Sequence, residues 1–301
     1  MNAAVREKGR LLHRVNQFDT TAQGAMPLCC KTMAMRMTVL ASGSKGNCAV
    51  VSSSQGSLLV DAGISCRETL KRMRAAGEEP EKLKAIVISH EHSDHVSGLQ
   101  VLARKLQIPV FITESTYQRW HRENKDAEGK PAKLERLEHF QAGRSFCVGD
   151  IAVTAFTIPH DAADPCGFTF KADGLKFAVV TDLGYMPPNV KEQLRRCDAL
   201  LIESNHDLEM LRNGPYPWMV KQRVMSRVGH LSNSALAEFF ENDYDGHASH
   251  VVLAHLSEQN NHPELARESA YKALGGRMSL FQSARIGLAL QDKPLQPFTL
   301  G

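Results

Sequence analysis

The chain has 301 residues, 43% of them hydrophobic and 23% charged, with a formal net charge of +3. This is ordinary globular composition, enough to bury a core of real size, and no apolar run is long enough to cross a bilayer as a helix. The mild positive balance permits an anionic substrate without arguing for one. The seven cysteines are odd in number and contain no C-x-x-C pair, so the expectation is reduced thiols in a cytoplasmic protein rather than a disulfide scaffold.

Residues 1–36 show no sustained hydrophobic period and read as a flexible N-terminal extension, with one domain over residues 37–301. From Met37 short apolar strands alternate with amphipathic helices. MTVLAS and CAVVSS flank a Gly-Ser turn, and SLLVDAG is a strand ending in an acid. RETLKRMRAAG reads as a helix stopped by Gly77. AIVIS, PVFIT, IAVTAFTI, GFTFKA, LKFAVVTD, ALLIES and HVVLAHL read as further strands. HVSGLQVLARKLQ, VKEQLRRC, SALAEFFEN and PELARESAYKAL read as helices, the last entered through Pro263. That order predicts stacked sheets sheathed by helices, an α/β (α+β) domain.

The stretch IVISHEHSDHVSG puts three histidines and an aspartate directly after a buried strand. His90 and His92 are two apart, so an extended backbone can aim both at one point; Asp94 and His95 follow at a helix entry. Imidazoles and a carboxylate this close together suit a divalent first-row metal. Four such ligands would fill one tetrahedral site and leave no open position. Further candidates close other apolar runs: Asp61 after SLLV, His160 after FTIP, Asp182 after FAVVT and His255 after VVLA.

In order and spacing, Asp61, His90-x-His92-x-Asp94-His95, His160, Asp182 and His255 resemble the motifs of the metallo-β-lactamase superfamily. The resemblance implies a four-layer αββα sandwich with two divalent ions (zinc, or manganese or iron) at one edge between the sheets. It implies that His90, His92 and His160 hold one ion, that Asp94, His95 and His255 hold the other, and that Asp182 bridges them. Asp61 would orient a ligand by hydrogen bond. Two ions about 3.5–4 Å apart can share a hydroxide and clamp an ester's oxygens, so the expected reaction is metal-dependent hydrolysis.

Several features lean toward phosphodiesters. The turn ASGSKGN offers Ser42, Ser44, Lys45 and Asn47 to a phosphate. GHLSNSALAEFF places His230 and Ser232 before a helix, with Ser232 or Asn233 as its N-cap. SNHD places His206 just past a buried strand, where it could contact substrate or donate a proton. These motifs together are similar to those of the YycJ (WalJ) group of the superfamily, regarded as 5′-to-3′ DNA exonucleases without an inserted β-CASP domain. The resemblance implies a nucleic-acid substrate, DNA over RNA, with no membrane association; no protein partner is evident. An RNA-processing nuclease on the same fold and a small-ester hydrolase resembling glyoxalase II are the competing readings. Tyr117 and Trp120 are candidates for base stacking, and Cys166, near His160, reads as a packing cysteine.

Overall fold

Runs such as AIV, FAVV and ALLI are apolar at every position, so both faces of each strand must be covered there. The computed structural model describes residues 34–125, 129–275 and 285–301 and satisfies that demand with two stacked sheets. The first holds β1 (Met35–Ala41), β2 (Cys48–Ser52), β3 (Ser57–Val60), β4 (Leu83–Val87), β5 (Val110–Ile112) and β6 (Leu137–His139). The second holds β7 (Ser145–Val148), β8 (Ile151–Thr157), β9 (Cys166–Ala172), β10 (Leu175–Val180), β11 (Ala199–Glu203), β12 (His250–Ala254) and β13 (Arg285–Leu288), and β14 (Phe298–Leu300) returns to the first sheet beside β1. Each sheet begins antiparallel and turns parallel: β3 to β6 run one way in the first sheet, β10 to β13 in the second.

The helices are α1 (Cys66–Ala75), α2 (Ser93–Val96), α3 (Leu99–Leu106), α4 (Glu114–Glu123), α5 (Pro188–Leu194), α6 (Leu208–Asn213), α7 (Trp218–Val224), α8 (Asn233–Asn242) and α9 (Pro263–Gly275). Period-2 alternation sorts the strand residues into layers. Leu58, Val60, Ala85 and Val87 meet Phe177, Val179, Leu201 and Val252 between the sheets. Leu59 and Ile86 point outward onto Leu70 and Met73 of α1, Leu102 of α3 and Trp120 of α4. Ala178, Leu200 and Val251 point outward onto Val190 of α5, Phe239 and Phe240 of α8 and Leu274 of α9. The result is the expected four-layer αββα sandwich. Each large side chain buried in these layers contributes about 1.5–3 kcal/mol relative to exposure.

The local signals hold in detail. Ser65 caps α1 by accepting from Glu68 N, and Gly77 ends it at φ +74°. Ser232 caps α8 by accepting from Ala235 N. Three expectations change. HVSGLQVLARKLQ is two helices, α2 and α3, parted at Ser97 and Gly98. The sheet begins at Met35, so the last two residues assigned to the N-terminal extension belong to β1; the rest of that expectation falls on residues 1–33, outside those described, apart from Ala34. Trp120, offered above as a base-stacking residue, is 1% exposed and packs in the core beneath the first sheet, because α4 turns that face inward.

Candidate metal centre

The parallel strands deliver their polar residues to one edge. Asp61 follows β3, His90 and His92 follow β4, Asp182 follows β10, Glu203 ends β11 and His255 follows β12. Asp61, Asp182 and His255 all adopt the left-handed region, with φ of 59°, 62° and 53°. Few non-glycine residues do so, though Asp and His are among the more tolerant, and such backbones cluster at functional sites. The left-handed step turns each chain sharply off its strand and swings the side chain over the sheet edge.

A second device sets α2. Asp94 O accepts from Asn47 N at 2.7 Å, and His95 O accepts from Ala62 N at 2.8 Å. Gly63 lies so close beneath this turn that a Cβ there would stand 1.7 Å from Asp94 O. Glu91, between the two histidines, turns away and accepts from Ala163 N at 2.9 Å, tying the loop that bears His160.

Two donor sets result. His92 Nδ1 lies 3.1 Å from His90 Nε2 and 3.2 Å from His160 Nε2. Asp94 Oδ2 lies 3.4 Å from His95 Nε2 and 3.3 Å from His255 Nε2. Asp182 stands between the sets: Oδ2 is 3.2 Å from His95 Nε2, and Oδ1 is 3.4 Å from His255 Nε2 and 3.9 Å from His160 Nε2.

The outward ring nitrogens are held by other groups. His90 Nδ1 meets Ser89 Oγ at 3.0 Å, and His160 Nδ1 meets Gly229 O at 3.1 Å. His95 Nδ1 meets Asp61 Oδ2 at 2.8 Å, and His255 Nδ1 meets Glu203 Oε1 at 3.1 Å. Asp61 is itself fixed by Ser89, whose backbone N–H donates to Oδ1 at 2.8 Å. Such contacts fix the tautomer and aim the inner nitrogen.

This arrangement fits divalent ions on two grounds. Asp182 Oδ2 is buried with only the contact to His95 Nε2 at 3.2 Å beside it and no well-aligned hydrogen bond, a costly state that an ion would relieve. The donors are also divided by charge. Burial holds His90, His92 and His160 below the ordinary histidine range, which leaves their rings neutral and free to donate a lone pair. Burial also lowers His95 and His255, but the carboxylates around them, Asp182 foremost, win and raise both well above that range. The protons held there mark where positive charge is wanted, and metal binding would displace them.

A cavity of about 230 Å³ opens onto the centre. Ser44, His92, Asp94, Asp182, His230 and His255 line it, with Asn205, Tyr216, Arg223 and Ser257. His230 Nδ1 is 2.7 Å from Glu203 Oε1, and its ring lies 5.1 Å from that of His255. Glu203 is wholly buried. Burial raises its pKa, but His230 and His255 outweigh that and hold it at about 2. Its other oxygen accepts from the backbone of Leu183 and Leu231.

Other residues offered for substrate lie elsewhere. Ser42 is buried and accepts from His255 N at 2.8 Å, clasping the two sheets. Asn47 is buried against Asp94 Oδ2 and His95 Nε2, so it supports the donors. Lys45 is paired with Glu258 at 2.7 Å and borders a different hollow. Ser232 spends its hydroxyl on the cap of α8, and Asn233 exchanges hydrogen bonds with Asn261. His206 is buried with Nδ1 toward Asn205 Oδ1, outside the cavity lining, and burial lowers its pKa to about 4. Cys166 is buried, and burial pushes its thiol up to about 12, as befits packing. Glu203 and Arg223 were not singled out in the sequence. Glu203 closes the strand ALLIE just as Asp61 and Asp182 close theirs, and that recurrence was the available signal.

The family model described as the Beta-lactamase superfamily domain matches residues 57–256. The chain belongs to the metallo-β-lactamase superfamily. Within it, similarity is high to the exodeoxyribonuclease YycJ of Bacillus anthracis, 39% identical over 242 residues that cover 80% of this chain and 90% of that one. The exodeoxyribonuclease WalJ of Streptococcus pneumoniae is 39% identical over 231 residues, 77% of this chain and 85% of that one. Among solved structures, the metallo-β-lactamase fold protein YhfI of Bacillus subtilis superposes with a TM-score of 0.64 at 17% identity, covering 87% of this chain and 99% of that one. This chain is a metal-dependent hydrolase of the superfamily.

Proposed function

We propose that the enzyme hydrolyses phosphodiesters of a nucleic acid, DNA rather than RNA, from a 5′ end in the cytoplasm. One observation carries this reading: Arg223 and His230 line the same cavity as both donor sets. A phosphodiester brings an anion that needs a cation beside it and a leaving oxygen that needs a proton. The relatives named above as exodeoxyribonucleases support the choice of DNA.

In this reading His90, His92 and His160 would hold one ion and Asp94, His95 and His255 a second, with Asp182 available to both. Zinc, manganese and iron all suit such mixed nitrogen and oxygen donors. Bound there, divalent ions supply Lewis acidity and bring the pKa of water toward neutrality. The chain does the rest. Arg223, steadied by Asp161 at 2.5 Å, takes the non-bridging oxygens of the phosphate. His230 has Nδ1 engaged by Glu203, which leaves Nε2 to protonate the departing oxygen. Asp61 and Glu203 hold His95 and His255 in register.

The test uses metal-stripped protein reconstituted with each ion in turn. It is offered end-labelled duplex DNA with and without a 5′ phosphate, a ribo-oligonucleotide, a closed circle and a thioester. The expected outcome is stepwise release of mononucleotides from 5′ ends of DNA. Equal cleavage of closed circles would remove the exonuclease label, and hydrolysis of the thioester alone would overturn the phosphodiesterase reading.

A further inference from the structure

The segment that joins α6 to His230 carries a surface the metal centre does not use. Residues 210–230 contain four cations, Arg212, Lys221, Arg223 and Arg227, and no acid. In the same segment Trp218 is 63% exposed, Met219 75% and Val220 38%. Exposed large apolar side chains concentrated in this way mark an interaction surface rather than ordinary scatter.

The surface is continuous with the cavity. Val220, Arg223 and Val224 of α7 line it, and Met219 lies one helical turn from Arg223. It is also fixed. Arg223 Nη2 donates to Asp161 Oδ1 at 3.0 Å, and Lys221 Nζ donates to Arg212 O at 2.7 Å. A Cβ on Gly229 would stand 2.3 Å from the carbonyl oxygens of both Arg223 and Val224. The chain returning to His230 is thus packed directly against the end of α7.

Resting on the phosphodiesterase reading, we propose that Trp218 and Met219 form a stacking shelf for the bases of an unpaired nucleic-acid strand whose scissile phosphate enters the cavity. A single strand alternates charged phosphates with flat apolar rings, which matches cations interleaved with an indole and a thioether. A duplex keeps its bases stacked on one another and offers no such rings. Every base has a π-face, so the shelf holds a strand without reading its sequence. Lys221, Arg223 and Arg227 meet the backbone, and binding weakens with salt.

The chain has two tryptophans, and Trp120 is 1% exposed, so an emission change on binding reports Trp218. The metal-loaded full chain is titrated with a short phosphorothioate-linked oligothymidylate and with a blunt duplex. The single strand should quench emission more strongly than the duplex, whose end must fray before a strand reaches the shelf. W218A/M219A should weaken single-strand binding roughly five- to hundred-fold, and W218F should stay within about three-fold of the parent. Unchanged emission, or unchanged affinity in W218A/M219A, overturns the shelf. So does self-association of the parent that W218A/M219A abolishes, which would assign the surface to a second copy. Hydrolysis of a small phosphodiester by the parent is measured separately. Its failure would overturn the phosphodiesterase reading, whereas hydrolysis without quenching would overturn the shelf alone.

Discussion

Glu203 is a fully buried carboxylate with two histidines on one oxygen and two backbone N–H groups on the other. Every lone pair that points inward has a partner, so the group can remain ionised in the interior. It steers His230 and His255 together. Replacing His230 by Ala should lower kcat by roughly 10²–10⁴ with metal content intact; loss of metal would make His230 a ligand. Glu203→Gln should lower kcat and also weaken metal retention, because His255 loses its anchor, and a tenth to a hundredth of the affinity is expected to remain. Asp182→Ala should abolish turnover and release metal together; retained turnover by a metal-free preparation would contradict its role. At this scale the donors were legible because histidine and aspartate in H-x-H-x-D-H have little reason to sit together otherwise. Glu203 was not, since one glutamate at a strand end has many uses. The partners of Lys45 and Asn233, Glu258 and Asn261, were not legible either, because residue type shows what a side chain can bind, not where it points.

The elements were read well wherever burial imposes a period. Ile86 on β4 shows why: from Ala85 to Ile88 both strand faces are covered, so each of those positions is apolar, and the polar run begins where the sheet ends. The left-handed turns at Asp61, Asp182 and His255 left no sequence trace, since aspartate and histidine tolerate that conformation without announcing it. α4 was missed because its charged residues hid a buried face of only Thr116 and Trp120. α7 was missed because Trp218, Met219 and Val220 are exposed and only Val224 is buried, which breaks the amphipathic pattern that reveals a helix. The close approach at Gly63 gives the element-scale prediction. Gly63→Ala pushes a methyl into Asp94 O and must displace α2. Metal content should fall sharply while the far-UV circular dichroism of the sandwich persists, since only one turn moves. Normal metal content in that variant would show that α2 has room to shift.

For the whole molecule, the buried groups make stability depend on pH. Burial lowers His206 from 6.5 to about 4, so between those values the unfolded chain binds a proton that the folded chain refuses. The stabilisation is complete above pH 6.5 and is lost as pH falls toward 4, by up to about 3 kcal/mol. Asp94 and Asp182 are also held below the carboxylate range: burial opposes this, but His95 and His255 prevail, and both carboxylates push in the same direction. His95 and His255, held above the ordinary histidine range, add stability as pH falls toward 6.5, so the loss is confined to lower pH: the urea midpoint of the metal-free chain should fall between pH 6.5 and 4.5, and His206→Asn should flatten that slope; an unchanged midpoint would contradict it. Restored metal should raise the thermal midpoint in proportion to the logarithm of free ion, since only the folded chain assembles both donor sets.

The central claim is that two donor sets, each drawn from both sheets, hold ions that make the enzyme active. It is tested most directly by counting ions per chain by mass spectrometry while phosphodiester turnover is followed during reconstitution of the stripped protein. The account predicts no turnover without metal, and activity that rises as occupancy approaches two ions per chain. Full turnover at zero occupancy, or a chain that retains no divalent ion at any concentration, would contradict it.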